Sequence, residues 1–376
     1  MPKILIITDK FKGSLTAKEA SSAICAGFRK VNPDLEIEEF PLADGGDGTI
    51  EVLEHLSDEK IYLPTLDPLG RRIEVPVLRA GKRILCEMAK STGLQLLQKW
   101  ERNPLKTSSF GLGVVLNEIA LMGYKHILLG IGGSATNDGG AGMLEAFGYL
   151  FLDSEGAPAK RGEFMTGAYL NNIAGIDDSS VPPYIRNLHL DVACDVNNPL
   201  TGAYGATMIY SPQKGANSRA VEALEEGMLN FVRVSARYFG HDNSDYPGAG
   251  AAGGVGFALK TFLGANLLSG WRVMFDFMDI ESKIEEADII ITGEGRVDGQ
   301  SISGKLFDGV VTLALKHKKR LWVICGENLL TDRELERIGV EHLFSVAQFE
   351  QSKDKAIANA KENVEKISQL AATFLR

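Results

Sequence analysis

The stretch Ile127-Leu-Leu-Gly-Ile-Gly-Gly-Ser-Ala-Thr-Asn-Asp-Gly-Gly-Ala-Gly-Met-Leu-Glu-Ala-Phe147 constrains the fold more than any other. Its apolar start reads as a buried strand, its polar middle as a loop and its end as a helix. A strand that feeds a helix through such a loop leaves backbone N–H groups free at the helix start, and these bind anions, phosphate above all. Gly130, Gly132, Gly133, Gly139 and Gly140 allow close backbone approach, while Ser134, Thr136, Asn137 and Asp138 add polar side chains. A plain strand-to-helix turn is the competing explanation. The run is too polar for that alone, and similar runs recur along the chain.

The rest of the chain repeats the strand-loop-helix order. Lys3–Thr8 is a short apolar run, followed by the loop Asp9–Leu15 and a helix expected from Thr16, where Thr16 and Glu19 match a capping box. A second strand spans Glu36–Leu42, and Ala43-Asp-Gly-Gly-Asp-Gly-Thr49 leads into another helix. This order predicts a parallel sheet with its polar loops at the C-terminal edge, where open α/β sheets bind ligands. From Lys60 to Met88 three short strands separated by turn residues predict an antiparallel meander and a second domain. Further strands are expected at Gly148–Asp153, Leu188–Val196, Ala287–Thr292, Arg320–Cys325 and Leu343–Ala347, and a long amphipathic helix at Arg219–Tyr238.

Net charge is −9 over 376 residues, which argues against sequence-independent nucleic-acid binding but leaves room for a phosphorylated ligand. The four cysteines form no CxxC pair, and the six histidines show no metal-ligand spacing. No signal-peptide pattern precedes Lys3 and no apolar run is long enough to span a membrane, so the expected location is cytoplasmic.

Three motifs admit competing readings. Gly130-x-Gly132-x-x-Ala135 after a strand, with Asp153 at the end of the next, fits a dinucleotide fingerprint and an NAD-dependent oxidoreductase using Gly130–Asp153. Against it, Asp138 sits where a pyrophosphate would approach. Gly248-x-Gly250-x-x-Gly253 follows a loop, so it reads as an anion loop before a helix. Gly299 to Lys305 is close to a P-loop, but Leu306 stands where a Ser or Thr would hold Mg²⁺. Lys305 can still meet phosphate as a point charge, or be a solvated surface lysine. Asp44, Asp47, Asp138, Asp191, Asp195, Glu294 and Asp298 all follow predicted strand ends. Carboxylates gathered near anion loops call for a cation between them and the phosphate, which points to Mg²⁺. Asp44 and Asp47 have a simpler alternative as helix caps.

Taken together, six motifs in order resemble the bacterial glycerate kinase family of the two-domain type unrelated to P-loop kinases. They are Asp9–Leu15, Pro41–Thr49, Gly130–Gly142, Ala193–Gly202, Gly250–Phe257 and Ile291–Ser301. Lys10 stands where the family often has serine, and Asp47 where it often has glutamate. The resemblance implies an α/β protein with a flavodoxin-like domain inserted into a discontinuous Rossmann-like domain made from both termini. The expected boundaries are 1–66 with 287–376 for the discontinuous domain and 67–286 for the inserted one. It also implies ATP-dependent phosphorylation of D-glycerate, to 2-phosphoglycerate or 3-phosphoglycerate.

Roles follow from the chemistry of that reaction. Lys12, Arg296 or Lys10 can pair with the glycerate carboxylate. Asp191 or Asp44 can accept the proton of the attacking hydroxyl. Asp195, Glu294 and Asp298 can hold Mg²⁺. Gly132, Gly133, Ser134, Asn137, Gly253, Gly254 and Lys305 can cradle phosphates, with Ser14, Asp138 and Asn197 as further binding candidates. The oxidoreductase and a non-catalytic binding protein for a small acid are the other classes. Oligomeric state is left open, a homo-oligomer included.

Overall fold

The computed structural model describes residues 2–42, 49–54, 57–302, 306–350 and 352–375. The chain forms two compact units, Met1–Asp44 with Met274–Arg376, and Gly45–Val273. Both are mixed α/β with largely parallel sheets.

The first unit is built on five parallel strands in the order 340–345, 320–325, 289–293, 3–8 and 36–41. Strand Lys3–Thr8 sits between Ile289–Gly293 and Glu36–Pro41, so the two ends of the chain share one sheet. Strands buried on both faces must be apolar throughout, and Ile4 to Ile7 and Ile289 to Ile291 are fully buried. Helix Ala17–Val31 starts on Thr16, whose side chain accepts from the Glu19 N–H while Glu19 accepts from the Thr16 N–H. It packs on helix Ala360–Ala372 so closely that a Cβ on Gly27 would meet Ser368 Cβ at 2.5 Å.

The main sheet of the second unit has six strands among the described residues, in the order 266–268, 189–193, 126–130, 83–87, 72–80 and 59–66. The first four are parallel; 72–80 pairs antiparallel with both neighbours. Strand Glu59–Leu66 is thus bonded along its whole length to Arg72–Ala80. That pairing draws residues 59–66 into the second unit, ahead of the boundary at 67 expected from sequence.

The strand expected at Gly148–Asp153 is short, Leu150–Leu152, and pairs antiparallel with Gly175–Asp177 outside the six-stranded sheet. A dinucleotide fingerprint needs a βαβ unit whose second strand lies parallel in the main sheet. Asp153 instead closes a turn, its Oδ1 accepting from the Glu155 and Ala157 N–H groups. The oxidoreductase reading therefore loses its ribose-binding carboxylate.

Candidate active site

The glycine-rich loop after strand His126–Gly130 is held from beneath. Asp138 is fully buried. Its Oδ2 accepts from the Ser109 N–H and hydroxyl at 2.7 Å each and from the Gly142 N–H at 3.3 Å, and its Oδ1 accepts from the Gly140 N–H at 3.1 Å. Burial pushes the Asp138 carboxyl above its usual range, while these four donors pull it back. Asn137 is also fully buried and donates to Thr207 Oγ1 at 3.1 Å. The structure thus places Asp138 and Asn137 inside the loop's foundation, while Gly132 and Gly133 are exposed.

The second glycine run locks onto the first. Gly139 donates its N–H to the Gly253 carbonyl at 3.0 Å. Gly253 and Gly254 have φ of +69° and +93°, conformations that suit glycine. A Cβ on Gly254 would lie 2.7 Å from Gly139 Cα.

Above this foundation lies a cavity of about 500 Å³. Gly132, Gly133 and Ser134 form one wall, Ala193 to Val196 another, and Tyr210, Gln213, Lys214, Ala251 and Ala252 a third. Asp195 is exposed at this cavity, its Oδ1 accepting the Gly270 N–H at 2.8 Å. Lys214 is 2% exposed and donates at 2.7 Å to both Ser134 Oγ and the Thr136 carbonyl. Burial lowers its ammonium from 10.5 to about 7, against the pull of Asp138. Arg102 also lines the cavity.

Lys214 and Arg102 are not among the residues singled out from sequence. Lys214 sits in Ser211-Pro-Gln-Lys-Gly215, which looks like an ordinary surface turn, and only its glycine at φ +98° marks a special position.

Several of the remaining candidates line other cavities. Asp191 lines a different cavity, of about 750 Å³, with His126 and His189. Its oxygens meet His126 Nε2 at 3.2 Å and Asn266 Nδ2 at 2.8 Å. Asn197 is exposed. In the first unit, Lys12, Ser14 and Arg296 line one cavity of about 320 Å³, otherwise bounded largely by apolar side chains. Ser14 Oγ donates to the Phe11 carbonyl at 3.0 Å, and Arg296 Nε lies 3.4 Å from Asp298. Asp298 also accepts the Gln300 N–H at 2.8 Å. Glu294 follows strand Ile289–Gly293 and is half-buried; Lys10 is exposed. Asp44, Asp47 and Lys305 lie outside the described residues. Asp195 belongs to the second unit, Glu294 and Asp298 to the first.

Comparison with known proteins gives one consistent result. Residues 4–376 match the glycerate kinase family. A glycerate kinase of Bacillus subtilis is 37% identical over 377 residues, spanning 100% of this chain and 98% of that one. A glycerate 2-kinase of Escherichia coli is 38% identical over 378 residues, spanning 99% and 98%. Among solved structures, a glycerate kinase 2 from Salmonella typhimurium is 36% identical with a TM-score of 0.82, covering 100% of this chain and 98% of that one.

Proposed function

This chain belongs to the glycerate kinase family, and from that premise we propose that it transfers the γ-phosphoryl group of ATP to the 2-hydroxyl of D-glycerate. The observation that carries the reading is the cavity at Gly132, Gly133 and Ser134, a polar strand-to-helix loop of the anion-binding kind in a chain that matches the family from end to end. The choice of hydroxyl leans on the Escherichia coli relative, which is named a glycerate 2-kinase.

Phosphoryl transfer asks the protein for positioning and charge stabilisation more than for covalent chemistry. Exposed loop glycines offer backbone N–H groups to phosphate oxygens without side chains in the way. Asn137 and Asp138 serve this site by holding the loop's shape. Lys12 and Arg296 share one cavity and supply the positive charge for the glycerate carboxylate, with Lys10 close in sequence. Of the two carboxylates considered as proton acceptor, Asp191 is engaged by His126 and Asn266 in another cavity, which favours Asp44.

The carboxylates Asp195, Glu294 and Asp298 are hard oxygen donors of the type that suits Mg²⁺. Asp195 fits best, being exposed on the cavity that carries the glycine loop. Bound there, Mg²⁺ would offset phosphate charge. A cytoplasmic location suits a metabolic kinase, and no helix among the described residues is long and apolar enough to cross a membrane.

A coupled assay for ADP with Mg-ATP and D-glycerate tests the reading. Turnover is expected with D-glycerate and not with L-lactate, which lacks the 3-hydroxyl. A ³¹P spectrum of the product identifies the phosphorylated carbon. Activity no greater than background ATP hydrolysis would overturn the kinase reading, and 3-phosphoglycerate as product would overturn the choice of hydroxyl.

A further inference from the structure

Two cations in the 500 Å³ cavity have hydrogen-bonding capacity left over. Lys214 is buried, yet both of its acceptors, Ser134 Oγ and the Thr136 carbonyl, are neutral. An ammonium has three N–H donors, so one remains. Among the described residues Lys214 makes no salt bridge. A buried charge without an ion-pair partner is costly to the fold, and the pull of Asp138 beneath the loop offsets only part of that cost. The guanidinium Nε of Arg102 is buried and has no hydrogen-bond partner among the described residues. Its backbone is locked to the turn that carries Lys214: a Cβ on Gly215 would lie 2.1 Å from the Arg102 carbonyl oxygen. The two cations are thus fixed on one scaffold, beside exposed glycines of the anion loop.

A small anion with several oxygens satisfies all of these groups at once. We propose that Lys214 and Arg102 together form the seat of the terminal phosphoryl group of the nucleotide. Lysine supplies a compact point charge, and arginine supplies a planar fork that matches two phosphate oxygens. The hydrogen bond from Lys214 to Ser134 then aligns the seat with the loop that meets the adjoining phosphates. This assignment rests on the kinase reading of the cavity.

The ionisation of Lys214 gives a second signature. Its ammonium titrates at about 7 when no anion is bound. The charged or titratable groups around it are Arg102, Cys194, Asp195 and Tyr210 on the same cavity, and Asp138 beneath the loop. Burial raises the Cys194 thiol and the Tyr210 phenol above their ordinary values, which takes both out of the neutral range. Nucleotide capture by the free enzyme should therefore weaken as pH rises through neutrality, because the neutral amine no longer attracts phosphate and only the Arg102 charge remains.

The test compares wild type with Lys214→Met, Lys214→Arg and Arg102→Met. Affinities for Mg-ATP, Mg-ADP and AMP are measured by titration calorimetry, and KM for ATP and for D-glycerate by the coupled assay. Loss of one charge-assisted contact corresponds to roughly a 10- to 100-fold loss of affinity. Each Met variant should show that loss for ATP, a smaller one for ADP and little for AMP, with KM for glycerate unchanged. In wild type kcat/KM for ATP should fall above pH about 7, and Lys214→Arg should flatten that fall. Equal losses for all three nucleotides, or a loss confined to glycerate, would overturn the seat. If Lys214→Met does not fold, Arg102→Met carries the same comparison at a half-buried position. A wild type that binds ATP through these residues but does not phosphorylate glycerate would sink the kinase reading and leave the seat standing.

Discussion

Gly253 lies against Thr136 so closely that a Cβ on the glycine would stand 2.0 Å from the threonine carbonyl oxygen. The neighbour is backbone, so it cannot swing aside as a flexible side chain would. Gly253 also has φ +69°. Gly253→Ala therefore meets two penalties, roughly 1–2 kcal/mol for the left-handed conformation and about 1–3 kcal/mol for overpacking. Gly240→Ala is the control, since Gly240 has φ +75° but nothing within 4 Å. It should lose only the conformational part and keep kinase activity. Urea unfolding midpoints of the two variants decide the matter: equal losses would show that the loop-to-loop contact carries no energy.

Asp138 supports the same loop from within. Its carboxylate accepts four hydrogen bonds, three of them from backbone N–H groups. An amide can accept on one oxygen only, and its NH₂ would face groups that are themselves donors. Asp138→Asn should cost on the order of 3–6 kcal/mol, given about 1.5–3 kcal/mol for a hydrogen bond to a charged group and a similar penalty for a buried donor left unpaired. Ser109→Ala should cost less, because Ser109 N–H still reaches Oδ2. Denaturant unfolding measures both. An Asp138→Asn protein as stable as wild type would show that Asp138 does not hold the loop as a carboxylate.

Lys214 makes stability depend on pH in a defined sense. Burial lowers its folded-state pKa from 10.5 to about 7. Between those values the unfolded chain holds the proton and the folded chain does not, so the unfolded state binds more protons. Stability from this group must then rise with pH across that window, being lowest near and below 7. The difference in unfolding free energy between wild type and Lys214→Met should move in favour of wild type from pH 7 to pH 9 in phosphate-free buffer. A flat difference would mean that Lys214 is not buried as a titrating ammonium.

How much of this was legible in the sequence depends on whether a residue type carries a burial signal. Apolar runs do. Lys3–Thr8 and Arg320–Cys325 are strands over the residues expected, and the Thr16–Glu19 capping box forms as its spacing implies. Strand extent is less legible, because it depends on pairing between segments: Ile61–Leu63 reads as a short strand of a meander from sequence, and bonding to Arg72–Ala80 extends it to Glu59–Leu66. Polar loop residues carry almost no burial signal. Asp138 and Asn137 look like ligand-facing groups in a glycine-rich run, yet they are fully buried. Lys214 shows the same silence, since a lysine in a Pro-Gln-Lys-Gly turn looks solvated while it is 2% exposed. Asp191 and Asp195 are four residues apart, as though on one face of a strand. That strand ends at Ala193, so the alternation stops before Asp195 and the two carboxylates line different cavities.

The metal reading makes the sharpest demand on single side chains. Asp195 is exposed at the cavity that holds Ser134 and Lys214, and its Oδ1 accepts the Gly270 N–H. An asparagine at 195 keeps an oxygen for that N–H but loses the negative charge. Asp195→Asn should therefore fold with wild-type stability and fail in holding a divalent cation. Replacing a ligand should cost at least what replacing an outer partner of a metal site does, roughly 10- to 100-fold in metal affinity or activity. The loss should shrink as Mg²⁺ is raised, since added ion compensates for weakened binding. Glu294→Gln tests the carboxylate that follows strand Ile289–Gly293 in the same way. Mn²⁺ titration followed by electron paramagnetic resonance reads cation binding without turnover, so a defect in catalysis alone is not mistaken for a defect in the metal site. If Asp195 merely ties the loop to Gly270, Asp195→Asn will bind Mn²⁺ as wild type does and keep its Mg²⁺ dependence. That result would remove Asp195 from the metal site.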